Sequence, residues 1–134
     1  MATAGRPLQT ALYQKLTAST ALTALVSGVY DEVPEDAAFP YVSFGSMTET
    51  PADAHDGQGL DVLVVLHVWS KAPGSGEAYD VFAALDAALD RVPLTVPGWS
   101  DVSIRHEQHE AVQDPDPDVR HINSQYRVWL TRNP

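Results

Sequence analysis

The residues of this chain whose types and spacing suit chemistry are its five histidines and two clusters of aspartates. His106 and His109 stand three positions apart, and on an extended strand that spacing sends them to opposite faces, where they cannot chelate one ion. His55 lies between Asp53 and Asp56, while Asp114, Asp116 and Asp118 alternate with Pro115 and Pro117. Both sets offer oxygen to calcium or magnesium, yet neither has the glycine and the closing carboxylate of a dedicated calcium loop. His67 sits between apolar neighbours, the setting of a packed or interfacial histidine rather than a proton shuttle. There is no cysteine, which removes disulfides, thiolate ligands and thiol nucleophiles together. Serines occur outside any Gly-x-Ser-x-Gly turn, and no phosphate-cradling glycine loop is present. The expectation is a protein that is not an enzyme, with no catalytic residue, no cofactor and no metal; a small metal-dependent enzyme is the less favoured alternative.

Charge limits the partners. Eighteen acidic residues against eight basic ones give a net charge of −10 at pH 7. A field of that sign repels a phosphate backbone, so sequence-reading or tight coating of nucleic acid is not expected. It suits a surface past which DNA slides without sticking, and it also keeps a protein soluble. No apolar run approaches the ~20 residues needed to cross a bilayer, and the first ten residues lack the apolar core of a secretory signal. The chain is expected to be soluble, made in the cytoplasm and free of membrane contacts.

These residues are held by elements legible in the hydrophobic pattern. At 134 residues the chain is read as one domain, 1–134. Leu8, Leu12 and Leu16 form one face of a short helix, with Pro7 in its first turn. Ser19 to Val26 reads as a second short helix, capped by Ser19 and burying Leu22, Leu25 and Val26. After Val29–Tyr30 and the acidic connection Asp31 to Pro40, two long extended arms, Tyr41 to Thr50 and Leu60 to Ser70, form a hairpin. In the second arm Leu60, Val62, Val64, Leu66 and Val68 share one face, and Asp61, Leu63, Val65, His67 and Trp69 share the other. An arm apolar on both faces belongs in the middle of a sheet.

The main helix is expected from Ser75 or Gly76 to about Arg91, burying Ala78, Val81, Phe82, Leu85, Ala88, Leu89 and Val92. Leu94 to Val96 reads as a three-residue strand. Asp101 to Val112 alternates only up to Ile104 and is polar beyond it, the pattern of a wet edge. His121 to Thr131 sets Ile122, Ser124, Tyr126, Val128 and Leu130 inward and His121, Asn123, Gln125, Arg127 and Trp129 outward. The fold class expected is α+β: a mixed, mostly antiparallel sheet with a long central hairpin and helices packed on one face. The other face then carries Leu63, Val65, His67, Trp69 and Trp129, with Trp99 a further candidate, as an association surface.

The run ALTALVSGVYDEVPEDAAFPYVSFG, Ala21 to Gly45, followed by HVWS at His67 to Ser70, resembles the tail-completion proteins of long-tailed phages and gene transfer agents, also called tail terminators or tail-to-head joining proteins. The likeness spans most of the chain, and Tyr30, Asp31, Pro40, Tyr41, Trp69 and Ser70 carry over as structural positions. It implies a sheet with helices on one side and a virion structural protein assembled in the host cytoplasm. Such a protein forms a hexameric ring that caps the head-proximal end of the tail tube, ends its polymerisation and meets the head-connector or neck proteins. DNA passes through the ring without specific binding. On this reading Leu63, Val65, His67, Trp69 and Trp129 are subunit or partner contacts, and Asp53, Asp56, Asp114, Asp116 and Asp118 line the channel or the ring ends. The alternative is another neck component, a head-closure or minor tail protein.

Overall fold

The computed structural model describes residues 2–55 and 57–134. Helix α1 (Gly5–Thr17) and the single turn α2 (Thr20–Thr23) lead into strand β1 (Val29–Tyr30), the hairpin β2 (Tyr41–Pro51) and β3 (Gly59–Ser70), helix α3 (Gly76–Leu89), and the strands β4 (Trp99–Gln113) and β5 (Arg120–Arg132). The five strands form one sheet in the order β1-β2-β3-β5-β4, antiparallel except for the parallel pair β1–β2. The fold is α+β, as the pattern implies, and β3 occupies the centre.

The β3–β5 ladder explains why the alternation in both strands is so clean. Its twelve residue pairs run from Gly59↔Thr131 to Ser70↔Arg120 without a register shift, so parity is kept from end to end. Even-numbered residues of both strands face the helices, and Val62, Val64, Leu66, Val68, Ile122, Tyr126 and Val128 are buried there. Leu8, Leu12 and Leu16 of α1, Leu22 of α2, and Val81, Leu85 and Leu89 of α3 complete the same core. Short helices such as these stand in water only when their apolar stripe is docked.

Helix α1 has no side-chain cap of its own at Ala4. Its first turn is instead tied to the sheet. The Glu49 carboxylate on β2 accepts from the Ala4 amide at 2.7 Å and from the Thr3 hydroxyl. A carboxylate at a helix N-terminus also meets the positive end of the helix dipole. Ser19 caps α2 as expected, accepting from the Leu22 amide at 3.2 Å.

Four expectations fail locally. α2 ends at Thr23, before the stripe can turn Leu25 inward, and Leu25 stays 44% exposed. Leu94 to Val96 forms no strand; Val96 is buried from an irregular connection. Trp99 packs against the core on the helix-covered side, because its cross-strand partner Arg132 has core-side parity. His106 and His109 share a face, for the reason given below.

Candidate interaction surface

The face of the sheet away from the helices is built from odd-numbered residues of β3 and β5. Across the ladder Asp61 stands opposite Trp129, Leu63 opposite Arg127, Val65 opposite Gln125, His67 opposite Asn123 and Trp69 opposite His121. All ten are half-buried, neither closed into a core nor free in solvent. The five residues expected at an interface do share this face, but they form two separate groups.

One end of the face is a band of rings. Trp69 stacks on His121 with centroids 3.9 Å apart and planes 6° from parallel, and its indole N–H donates to Ser43 Oγ at 2.9 Å. His67 Nδ1 and His121 Nε2 share a hydrogen bond of 2.7 Å. Tyr41 lies 6.4 Å from Trp69, Phe39 lies 4.9 Å from Tyr41, and the Lys71 ammonium sits 4.6 Å over Phe39. The band thus crosses from β2 over β3 to β5. Gly45 leaves room for it: a Cβ there would stand 2.5 Å from His67 Nε2.

Burial lowers the pKa of His67, and burial followed by the neighbouring His67 lowers that of His121 against an opposing pull from Asp114. Burial, then Asp114 and Tyr30, raises that of Tyr41. Burial thus disfavours the charged form of both histidines.

The other end is charged. Arg127 bridges β3 and β4, with Nη1 2.6 Å from Asp61 and Nε 3.0 Å from Glu107. The Arg105 guanidinium lies 5.1 Å over the Trp129 ring, within cation–π range. Trp129 is thus paired with an arginine at one end, while Leu63 and Val65 lead along β3 toward Trp69 at the other.

The acidic positions also divide. Asp53 accepts from the Gly59 amide at 3.2 Å, closing the tip of the β2–β3 hairpin. Asp114 and Asp116 accept from the amides of Asp116 and Asp118, each at 2.9 Å, so the β4–β5 loop is a chain of aspartate-capped turns. Because β3 and β5 are antiparallel, these two loops occupy opposite ends of the sheet. Asp56 lies outside the described residues.

The expectation that strand parity separates His106 from His109 is overturned. β4 carries a register shift between His106 and Gln108, and one extra residue reverses the alternation after it. Both rings then lie on the helix side, with His106 Nε2 2.9 Å from His109 Nδ1 and Phe82 4.3 Å from the His109 ring. Among the described residues no group of three or more His, Cys, Asp or Glu is arranged to hold a metal ion. Sequence reasoning missed Arg105, Arg127 and Glu107 on the open face; the outward parity of Arg127 and Asp61 was the available signal.

The α+β sheet is thus covered by helices on one side and bears rings and fixed charges on the other. Comparison with known proteins names the family. The sequence model of the family described as "Tail completion protein gp17" matches residues 10–131, and the chain belongs to that family. It is 26% identical over 130 residues to tail completion protein gp17 of Bacillus phage SPP1, covering 97% of this chain and 96% of that one. Its fold matches a chain in the virion of a native gene transfer agent particle with a TM-score of 0.85 and 31% identity, over 92% of this chain and 94% of that one. The structure of bacteriophage SPP1 gp17 matches with a TM-score of 0.57 and 25% identity, over 96% of this chain and 90% of that one.

Proposed function

We propose that this protein is the tail-completion subunit of a phage or gene-transfer-agent virion. Six copies close into a ring on the head-proximal end of the tail tube, stop its growth and present the docking surface for the neck. The observation that carries this reading is the near full-length match to a chain of a gene transfer agent virion. Belonging to the tail completion family supports it independently.

The physical features are consistent with that work. The half-buried band of Leu63, Val65, His67 and Trp69, with Trp129 farther along the face, is the apolar surface a subunit or tube contact uses. A net charge of −10, repeated around a ring, makes a passage that repels DNA and lets it slide. Asp53 at one end of the sheet and Asp114, Asp116 and Asp118 at the other are the carboxylates placed to meet it at the lumen or ring ends.

The test is the mass of the species that the protein forms, alone by light scattering and on purified tail tubes by imaging. A ring of six times the 14.5 kDa chain, about 87 kDa, on the tube end is the expected result. A chain that stays monomeric and leaves tube ends bare overturns the proposal.

A further inference from the structure

Where the open face meets the β4 edge of the sheet, one groove stands apart in charge. It is about 610 Å³ in volume, wraps the outer edge of β4, and is lined by Arg91, Pro93, Val102, Ser103, Arg105 and Trp129 among others. The backbone builds its wall: Arg91, in a left-handed conformation at φ 58°, donates its amide to the Ile104 carbonyl at 3.0 Å, carrying the α3–β4 connection along β4. Two of the eight basic residues of an acidic protein line this one groove. Among the described residues the ion pairs are those of Arg127 with Asp61 and Glu107, and neither Arg91 nor Arg105 has a carboxylate partner. Besides the two arginines and Ser103, the lining is apolar or aromatic: Val92, Pro93, Val102, Ile104 and Trp129.

The complementary segment lies at the other edge of the same sheet. Asp31 to Asp36, in the connection between the parallel strands β1 and β2, reads Asp-Glu-Val-Pro-Glu-Asp, two acidic pairs flanking an apolar Val-Pro centre. All six residues are exposed, and Val33, at 36% exposure, is among the exposed large apolar side chains of the protein. Among the described residues none of the four carboxylates makes a hydrogen bond or an ion pair.

We infer that the Asp31–Asp36 segment of one copy seats in the Arg91–Arg105 groove of the next, Val33 and Pro34 against Trp129 and Val102, with the flanking carboxylates on the two arginines. The inference rests on the ring reading above and adds which surfaces meet. Opposite charges direct the encounter and fix its register. Since β1 and β4 are the two edges of one sheet, the contact is head-to-tail, the kind that propagates from copy to copy until rotation closes it. A groove made for an acidic segment of some other protein is the competing occupant.

The absence of cysteine permits a direct test. A Val33→Cys/Ser103→Cys chain, both positions exposed, is oxidised and its products resolved by mass, beside a Val33→Cys/Thr10→Cys control carrying its second thiol on α1. The expected result is a ladder of disulfide-linked multimers from the first chain and none beyond dimers from the control. In parallel, Arg91→Glu/Arg105→Glu weakens self-association at least tenfold, and adding Glu32→Arg/Glu35→Arg in the same chain restores it. If the native chain associates but no ladder forms and the reversals change nothing, this contact is wrong, the groove is left to another partner and the ring stands. If the native chain associates neither alone nor on tubes and no ladder forms, the ring reading fails and takes this contact with it.

Discussion

Trp69 and His121 lie parallel across the β3–β5 ladder, 3.9 Å between ring centroids, and the far edge of the imidazole hydrogen-bonds His67 on the strand next to it. A tryptophan is thereby fixed on a half-open face by neighbours from both strands, with its N–H satisfied by Ser43. Such a ring offers area to a partner at little further loss of conformational freedom.

The stack makes stability depend on pH. Both histidines have their pKa lowered below the ordinary 6.5, chiefly by burial. As pH falls, the unfolded chain takes up protons first, so this part of the stability is whole above about 6.5 and is lost as pH drops through the folded values. Thermal melts between pH 7.5 and 5.5 are expected to fall toward acid, and His67→Asn is expected to flatten the slope. An unchanged slope in the variant refutes the assignment.

Gly45 is held small by His67. Gly45→Ala places a methyl 2.5 Å from Nε2, which drives the ring off its bond to His121 and costs about 1–3 kcal/mol, the range of overpacked sites. Coupled with His67→Ala, most of that cost should vanish, since the obstacle is gone. A double-mutant cycle in denaturant reads the coupling, and strict additivity would contradict it.

Glu49 substitutes for the missing cap of α1. Glu49→Ala is expected to lower stability by about 1–2 kcal/mol, the scale of a lost N-cap, and Glu49→Gln by less because an acceptor remains. Amide exchange at Ala4, expected to be slow in the native chain because Glu49 accepts from that amide, is the local readout. Equal loss in both variants would show that charge alone holds the helix.

Tyr126 is fully buried and donates its hydroxyl to Asp86 at 2.7 Å. Burial and then that carboxylate push its pKa well above the ordinary range for tyrosine. In an ultraviolet titration the Tyr126 ring should stay protonated at pH 11 in the folded protein. Tyr126→Phe removes that silent ring and costs about 1–2 kcal/mol, because the half-buried Asp86 loses its donor.

The contrast between β5 and β4 shows where a sequence informs and where it stops. In β5 the inward and outward sets, from Ile122 to Leu130 and from His121 to Trp129, follow from period two because nothing interrupts its ladder to β3. β4 has two register shifts, and after the second the same arithmetic assigns His109 to the wrong side. A bulge leaves no mark in local composition. Beside it the His106 amide donates to Asp90 at the end of α3, a tertiary contact that local composition does not show either. Glu49 is 45 residues from the amide it holds, and Arg127 reaches 66 and 20 residues back to its two carboxylates. Such pairings exist only once the sheet has formed, whereas the outward parity of Leu63, Val65 and Trp69 is already present in the strand.

The unbroken register of β3 and β5 fixes a length as well as a face. Twelve residues at ~3.3 Å each separate the Asp53 hairpin tip from the Asp114–Asp118 loop by about 40 Å. A residue inserted in β3 alone would invert one face against the other unless a bulge absorbed it, as bulges do in β4. The sheet is a ruler: whatever meets one loop is held at a set distance from whatever meets the other.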